Sequence, residues 1–85
     1  MKTGVAGTKE SNDVLITVSE SDVLEIEIHS IVDLLFHDQI ETVIKETLKE
    51  ENVHNIRVVC IDKGALDYTI RARLITALNR MNAND

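Results

Sequence analysis

Apolar residues change period along this chain, and the order of those changes limits the folds open to it. Val14, Ile16 and Val18 alternate with Leu15 and Thr17, and Leu24, Ile26 and Ile28 alternate with Glu25, Glu27 and His29, the period-two signature of half-buried strands. The polar stretch Ser19-Glu20-Ser21-Asp22 predicts a hairpin between them. From Ser30 the period lengthens: Phe36, Ile40, Val43, Ile44, Thr47 and Leu48 share one helical stripe, opened by Ser30 and Asp33 as a capping box and ending near Glu50 to Asn52. Ile56 to Ile61 is apolar except for Arg57 and rich in β-branched residues, as in a strand with both faces partly covered. Asp62 and Gly64 turn it into a second helix with Leu66, Ile70, Leu74, Leu78 and Met81 on one stripe, Arg71 on one flank, and Arg73 and Arg80 on the other.

The order is therefore β-β-α-β-α, an α+β class. A right-handed crossover through the first helix returns the third strand parallel to the second. Placing the first strand between them predicts a three-stranded antiparallel sheet of order 2-1-3, with both helices on one face of a two-layer α/β sandwich. Successive apolar residues at Val14, Leu15 and Ile16 suit a central strand, and Glu25 and Glu27 suit an edge. Residues 1–13 (MKTGVAGTKESND) carry neither period and are expected to form a flexible N-terminal arm ahead of a single domain, 14–85.

A chain of 85 residues buries only roughly 60–65% of its unfolded surface. That leaves one thin core and no room for an enclosed active site. With Phe36 and Tyr68 the only aromatics, the core must be aliphatic. Residues 1–55 hold twelve acidic side chains against four lysines, whereas residues 56–85 hold three against five basic ones. An acidic chain with no basic cluster lacks the phosphate-neutralising charge and stacking surfaces of a nucleic-acid binder. The lone Cys60 allows no internal disulfide, and no apolar run has the length of a signal or membrane segment, so a cytoplasmic setting is expected.

Catalytic and metal readings find little support. His29, His37, His54 and Cys60 are spaced eight, seventeen and six residues apart, which matches no zinc arrangement. They read as surface imidazoles and a buried thiol. Of the four serines, Ser19 and Ser21 belong to the hairpin loop and Ser30 is explained as a helix cap. Ser11 stands in a polar stretch where a modifying enzyme could reach its hydroxyl, although such stretches are usually plain loops.

Two segments add to this reading. Val5-Ala6-Gly7-Thr8-Lys9-Glu10-Ser11-Asn12-Asp13 resembles the attachment segment of citrate lyase acyl carrier proteins. Asp62-Lys63-Gly64-Ala65-Leu66-Asp67, continuing through Ile70-Arg71-Ala72-Arg73, resembles their second signature. Length and element order agree, so the resemblance covers nearly the whole chain. Gly is common in the family at the positions of Asn12 and His37, and Cys at that of Tyr68. Asn tolerates positive φ, so Asn12 keeps the local turn.

The resemblance implies a non-catalytic carrier with phosphoribosyl-dephospho-coenzyme A joined through phosphate to Ser11. The arm's thiol would bear acetyl. It implies four partners: the citrate lyase alpha subunit, an acyl transferase that exchanges acetyl for citrate; the beta subunit, a citryl lyase that releases oxaloacetate; a prosthetic-group transferase; and an acetylating ligase. The other class left open is an unmodified protein-interaction domain in which residues 7–13 are a linker.

On the second helix Tyr68, Ala72 and Ile75 fall together away from the core stripe. Either they widen the buried face, or with Arg71 and Arg73 they form a docking patch for a catalytic subunit.

Overall fold

The computed structural model describes residues 2–31 and 34–83, without the side chains of residues 34 and 35. Its elements are β1 (Thr3–Gly7), β2 (Val14–Glu20), β3 (Glu25–Ser30), α1 (Leu34–Glu50), β4 (Ile56–Asp62) and α2 (Asp67–Asn82). The class is α+β, as expected, but the sheet has four strands in the order β1-β2-β4-β3, not three in the order 2-1-3. Two features of the sequence account for the difference.

The first concerns the N-terminal segment. Thr3–Gly7 is not an arm but a strand paired antiparallel with β2, from Thr3 opposite Ser19 to Gly7 opposite Leu15. Its alternation is written in volume rather than hydropathy. Gly4 and Ala6 face inward and are buried, while Thr3 and Val5 face out. The inward side chains are small because α2 lies directly on them: a Cβ on Gly4 would stand 1.9 Å from the Ala77 carbonyl oxygen.

The second concerns β2 and β3, which do not form a hairpin. β4 lies between them, antiparallel to β2 and parallel to β3. Residues 21–24 need only bridge two strand spacings, roughly 10 Å, within reach of four extended residues. Charge favours this neighbour. Glu25 and Glu27 both meet Arg57 of β4, at 2.9 and 3.3 Å, whereas the outward residues of β2 (Leu15, Thr17 and Ser19) could not pair with them. Arg57 and His29 hold the Glu27 carboxyl below its ordinary range, the His29 hydrogen bond contributing most.

One sheet face is covered by both helices. Val14, Ile16 and Val18 of β2 and Ile56, Val58 and Cys60 of β4 pack against Ile40, Ile44 and Leu48 of α1 and Ile70, Leu74, Ala77 and Leu78 of α2. Leu66, read as part of that stripe, is instead the exposed residue before the first turn of α2. Phe36 is likewise exposed. The end of α1 is closed by Val53 N–H donating to the Leu48 carbonyl and Asn52 N–H to that of Lys49, with Asn52 at φ 61°. This is the Schellman arrangement, in which a left-handed residue satisfies the last carbonyls.

Ser30 ends β3, and its hydroxyl donates to the Asp62 carboxylate at 2.8 Å. The capping box with Asp33 falls outside the described residues. Among the described residues no helix is long and apolar enough to cross a membrane.

Candidate functional site

Ser11 lies on the exposed turn between β1 and β2. The turn is built from its own polar residues. Thr8 Oγ1 accepts from the Glu10 N–H at 3.1 Å and donates to Asp13 Oδ2 at 2.8 Å, and Asp13 N–H returns to the Glu10 carbonyl at 3.1 Å. Asn12 takes φ 67°, the left-handed conformation its short amide tolerates. The Ser11 hydroxyl holds none of these bonds, so the turn keeps its shape while that oxygen remains open to a reagent.

The turn is fastened to the rest of the molecule at two points. Asn12 N–H donates to the Lys63 carbonyl at 2.8 Å, and Lys63 N–H to the Asp13 carbonyl at 2.9 Å. The Arg73 guanidinium grips Asp13 with two bonds, 3.1 and 3.0 Å, from sixty residues away. The Thr8 hydroxyl, the Val14 N–H and Arg73 together hold the Asp13 carboxyl at about 2, against an ordinary 3.8. Hydrogen bonds and a cation favouring the ionised form explain that direction. The segments around Ser11 and from Asp62 to Arg73, far apart in sequence, are therefore one structure.

Asp62 organises the second segment. It is buried, accepts from Ser30 Oγ at 2.8 Å and from the Ala65 N–H at 2.9 Å, and so fixes the turn into α2. A buried carboxylate is tolerable there because both oxygens have partners. Beyond that turn opens a cleft of about 470 Å³ between the starts of α1 and α2, lined among others by Phe36, Gln39, Asp62, Leu66, Asp67 and Tyr68. It holds both aromatics of the chain.

Of the other sequence candidates, Tyr68, Ala72 and Ile75 share one face of α2. Tyr68 and Ala72 are exposed and Ile75 is half-buried, so Tyr68 does not widen the core. Arg71 pairs with Glu50 of α1, and Arg73 is committed to Asp13. Cys60 is buried, and desolvation, with a smaller contribution from Asp62, pushes its thiol up to about 12. Among the described residues no group of His, Cys, Asp and Glu could hold a metal ion. Sequence reasoning missed the Asp13–Arg73 grip and the cleft. The one available signal was that both aromatics sit near helix starts.

A family model described as "ACP: Malonate decarboxylase delta subunit (MdcD)" matches residues 1–81. The citrate lyase acyl carrier protein of Streptococcus mutans is 48% identical over 93% of this chain and 79% of its own length. That of Oenococcus oeni is 45% identical over 99% and 89%. The chain belongs to the citrate lyase acyl carrier protein family. Citrate lyase acyl carrier proteins are named as carriers and not as catalysts. A chain in the crystal structure of a Pseudomonas malonate decarboxylase hetero-tetramer in complex with malonate superposes with a TM-score of 0.82 over 94% of this chain and 84% of that one. At 15% identity it extends the fold, and the fold alone, beyond the citrate lyase carriers.

Proposed function

We propose that this chain is the acyl carrier subunit of a citrate lyase, holding phosphoribosyl-dephospho-coenzyme A through a phosphodiester on Ser11. The arm supplies a thiol that carries acetyl or citryl as a thioester. This chain's own residues do the holding and presenting. Ser11 offers the linking oxygen, and Thr8, Asn12, Asp13 and Arg73 hold the turn that bears it. The partners are the alpha subunit, which exchanges acetyl for citrate, and the beta subunit, which cleaves the citryl thioester. The prosthetic-group transferase and the acetylating ligase act on the chain beforehand, in the cytoplasm.

The observation that carries this reading is the junction of the two family segments. They meet through Asn12, Asp13, Lys63 and Arg73, with Ser11 at the exposed apex. Identities of 45–48% to citrate lyase carriers against 15% to the malonate decarboxylase chain favour citrate over malonate. Tethering suits the task because it makes delivery to each active site intramolecular.

Intact-mass analysis of the chain made alongside its attachment enzymes tests the assignment. A Ser11→Ala variant should fold within about 0.5 kcal/mol of wild type and carry no adduct. An adduct of unchanged mass on that variant would overturn it, and an unmodified wild type would favour a plain interaction domain. The acidic body suits a basic docking surface, and Tyr68, Ala72 and Ile75 are the proposed patch, flanked by Arg71 and Arg73, which in the free chain are held by Glu50 and Asp13. Tyr68→Ser should leave stability nearly unchanged and weaken co-purification with the lyase subunits.

A further inference from the structure

The cleft between the starts of α1 and α2 has an occupant close at hand. Its wall at Gly64 touches the Ser11 turn: a Cβ on Gly64 would stand 3.5 Å from Asn12 Oδ1, and Asn12 is the residue after Ser11. A volume of about 470 Å³ falls in the range of small-molecule sites, roughly 300–1,000 Å³. Phe36 is 51% exposed, Leu66 58% and Tyr68 70%. Large side chains left this open around one concavity mark a place where something packs.

The polar lining narrows the chemistry. Asp67, exposed at the rim, is the acceptor within reach, and Asp62, its oxygens already held by Ser30 and Ala65, adds negative charge below, so the cleft disfavours phosphate and favours a group that donates N–H. Gln39 Nε2 spans to Asp67 at 3.2 and 3.0 Å, which leaves the Gln39 carbonyl oxygen as a further acceptor. A flat, uncharged, N–H-donating ring between two aromatics fits this lining, since bases stack on aromatic faces in a way that needs no sequence of contacts. The geometry points to this cleft as the seat of the adenine ring of the arm on Ser11, stacked against Tyr68 and Phe36 with its exocyclic amine toward Asp67 and Gln39. The phosphates stay outside the cleft. This inference rests on the carrier reading and adds to it a resting place for the arm close to its attachment.

The chain has one Tyr and no Trp, so its near-ultraviolet fluorescence reports on Tyr68 alone. The test compares the unmodified and fully modified chains, with intact mass measured first. Modified protein should show a loss of Tyr68 emission. Its amide spectrum should shift at Ala65, Leu66 and Ile70, with nuclear Overhauser contacts from the adenine protons to the Phe36 ring. In a modified Phe36→Leu variant, which folds because Phe36 is not in the core, the amide shifts at Leu66 should shrink. An adduct on Ser11 with unchanged Tyr68 emission, or with shifts confined to residues 8–13, overturns the inference and leaves the carrier reading standing. No adduct under attachment conditions overturns both.

Discussion

Gly4→Ala tests whether the N-terminal segment is a packed strand. The added methyl would stand 1.9 Å from the Ala77 carbonyl oxygen and 2.6 Å from the Met81 nitrogen, both backbone atoms of α2. Neither can rotate aside, so β1 or α2 must move. Overpacking of this kind costs about 1–3 kcal/mol, and a contact so short belongs at the upper end. Stiffening the unfolded chain returns about 0.4–1 kcal/mol, which leaves a net loss near 2 kcal/mol. For a domain of this size that lowers Tm by roughly 8–16 °C.

Gly64→Ala is the matched control. Its new Cβ meets nothing nearer than 3.5 Å, and only the φ of +92° opposes it, so a loss of about 1–2 kcal/mol is expected from conformation alone. Urea unfolding followed by far-ultraviolet circular dichroism gives both values. If Gly4→Ala lies within about 0.5 kcal/mol of wild type, β1 does not lie under α2 and residues 1–13 revert to an unanchored arm.

Asp13→Asn should destabilise the chain at neutral pH. Because the folded carboxyl titrates at about 2 and the ordinary one at 3.8, its contribution is complete above pH 4 and is lost as pH falls toward 2. Unfolding midpoints of wild type and variant should therefore converge across that window, and a difference constant with pH would refute the argument. Cys60, buried and pushed up to about 12, should resist maleimide at pH 8 in the folded chain and react at once in denaturant; rapid labelling of folded protein would count against its burial. Ser30→Ala should cost about 1.5–3 kcal/mol, the range for a hydrogen bond to a charged group, and still accept the arm at Ser11 as judged by mass.

The elements that position the core were legible because their apolar residues keep a period. Val14, Ile16 and Val18, the α1 stripe and the β-branched run at Ile56 to Ile61 each announce their structure. β1 was not legible because Gly4 and Ala6 carry the inward face in small volume, which a hydropathy pattern does not register. The strand order failed for a different reason. Short loops usually join paired strands, and here Arg57 and the α1 crossover draw β3 to β4 instead. At the site, the two segments that meet there were readable from resemblance, and the positive φ of Asn12 followed from its chemistry. The Asp13–Arg73 pair was invisible, since nothing in a single sequence links two residues so far apart. Leu66 and Phe36 misled because helical spacing does not tell a core position from one at a helix mouth.

The grip of Arg73 on Asp13 and of Lys63 on Asn12 has a mechanical consequence for anything mounted at Ser11. A pivot on a loose tail would wander, and the thiol at the end of the arm would search a volume widened by every unpaired residue below it. Anchored to α2 on one side and to the end of β4 on the other, the pivot moves with the body. If Ser11 bears the proposed arm, a partner that orients the body then also sets the centre of the sphere its thiol sweeps. On the proposed carrier reading the search is left to the part of the arm beyond the cleft, and its free length sets the local thiol concentration at a docked active site.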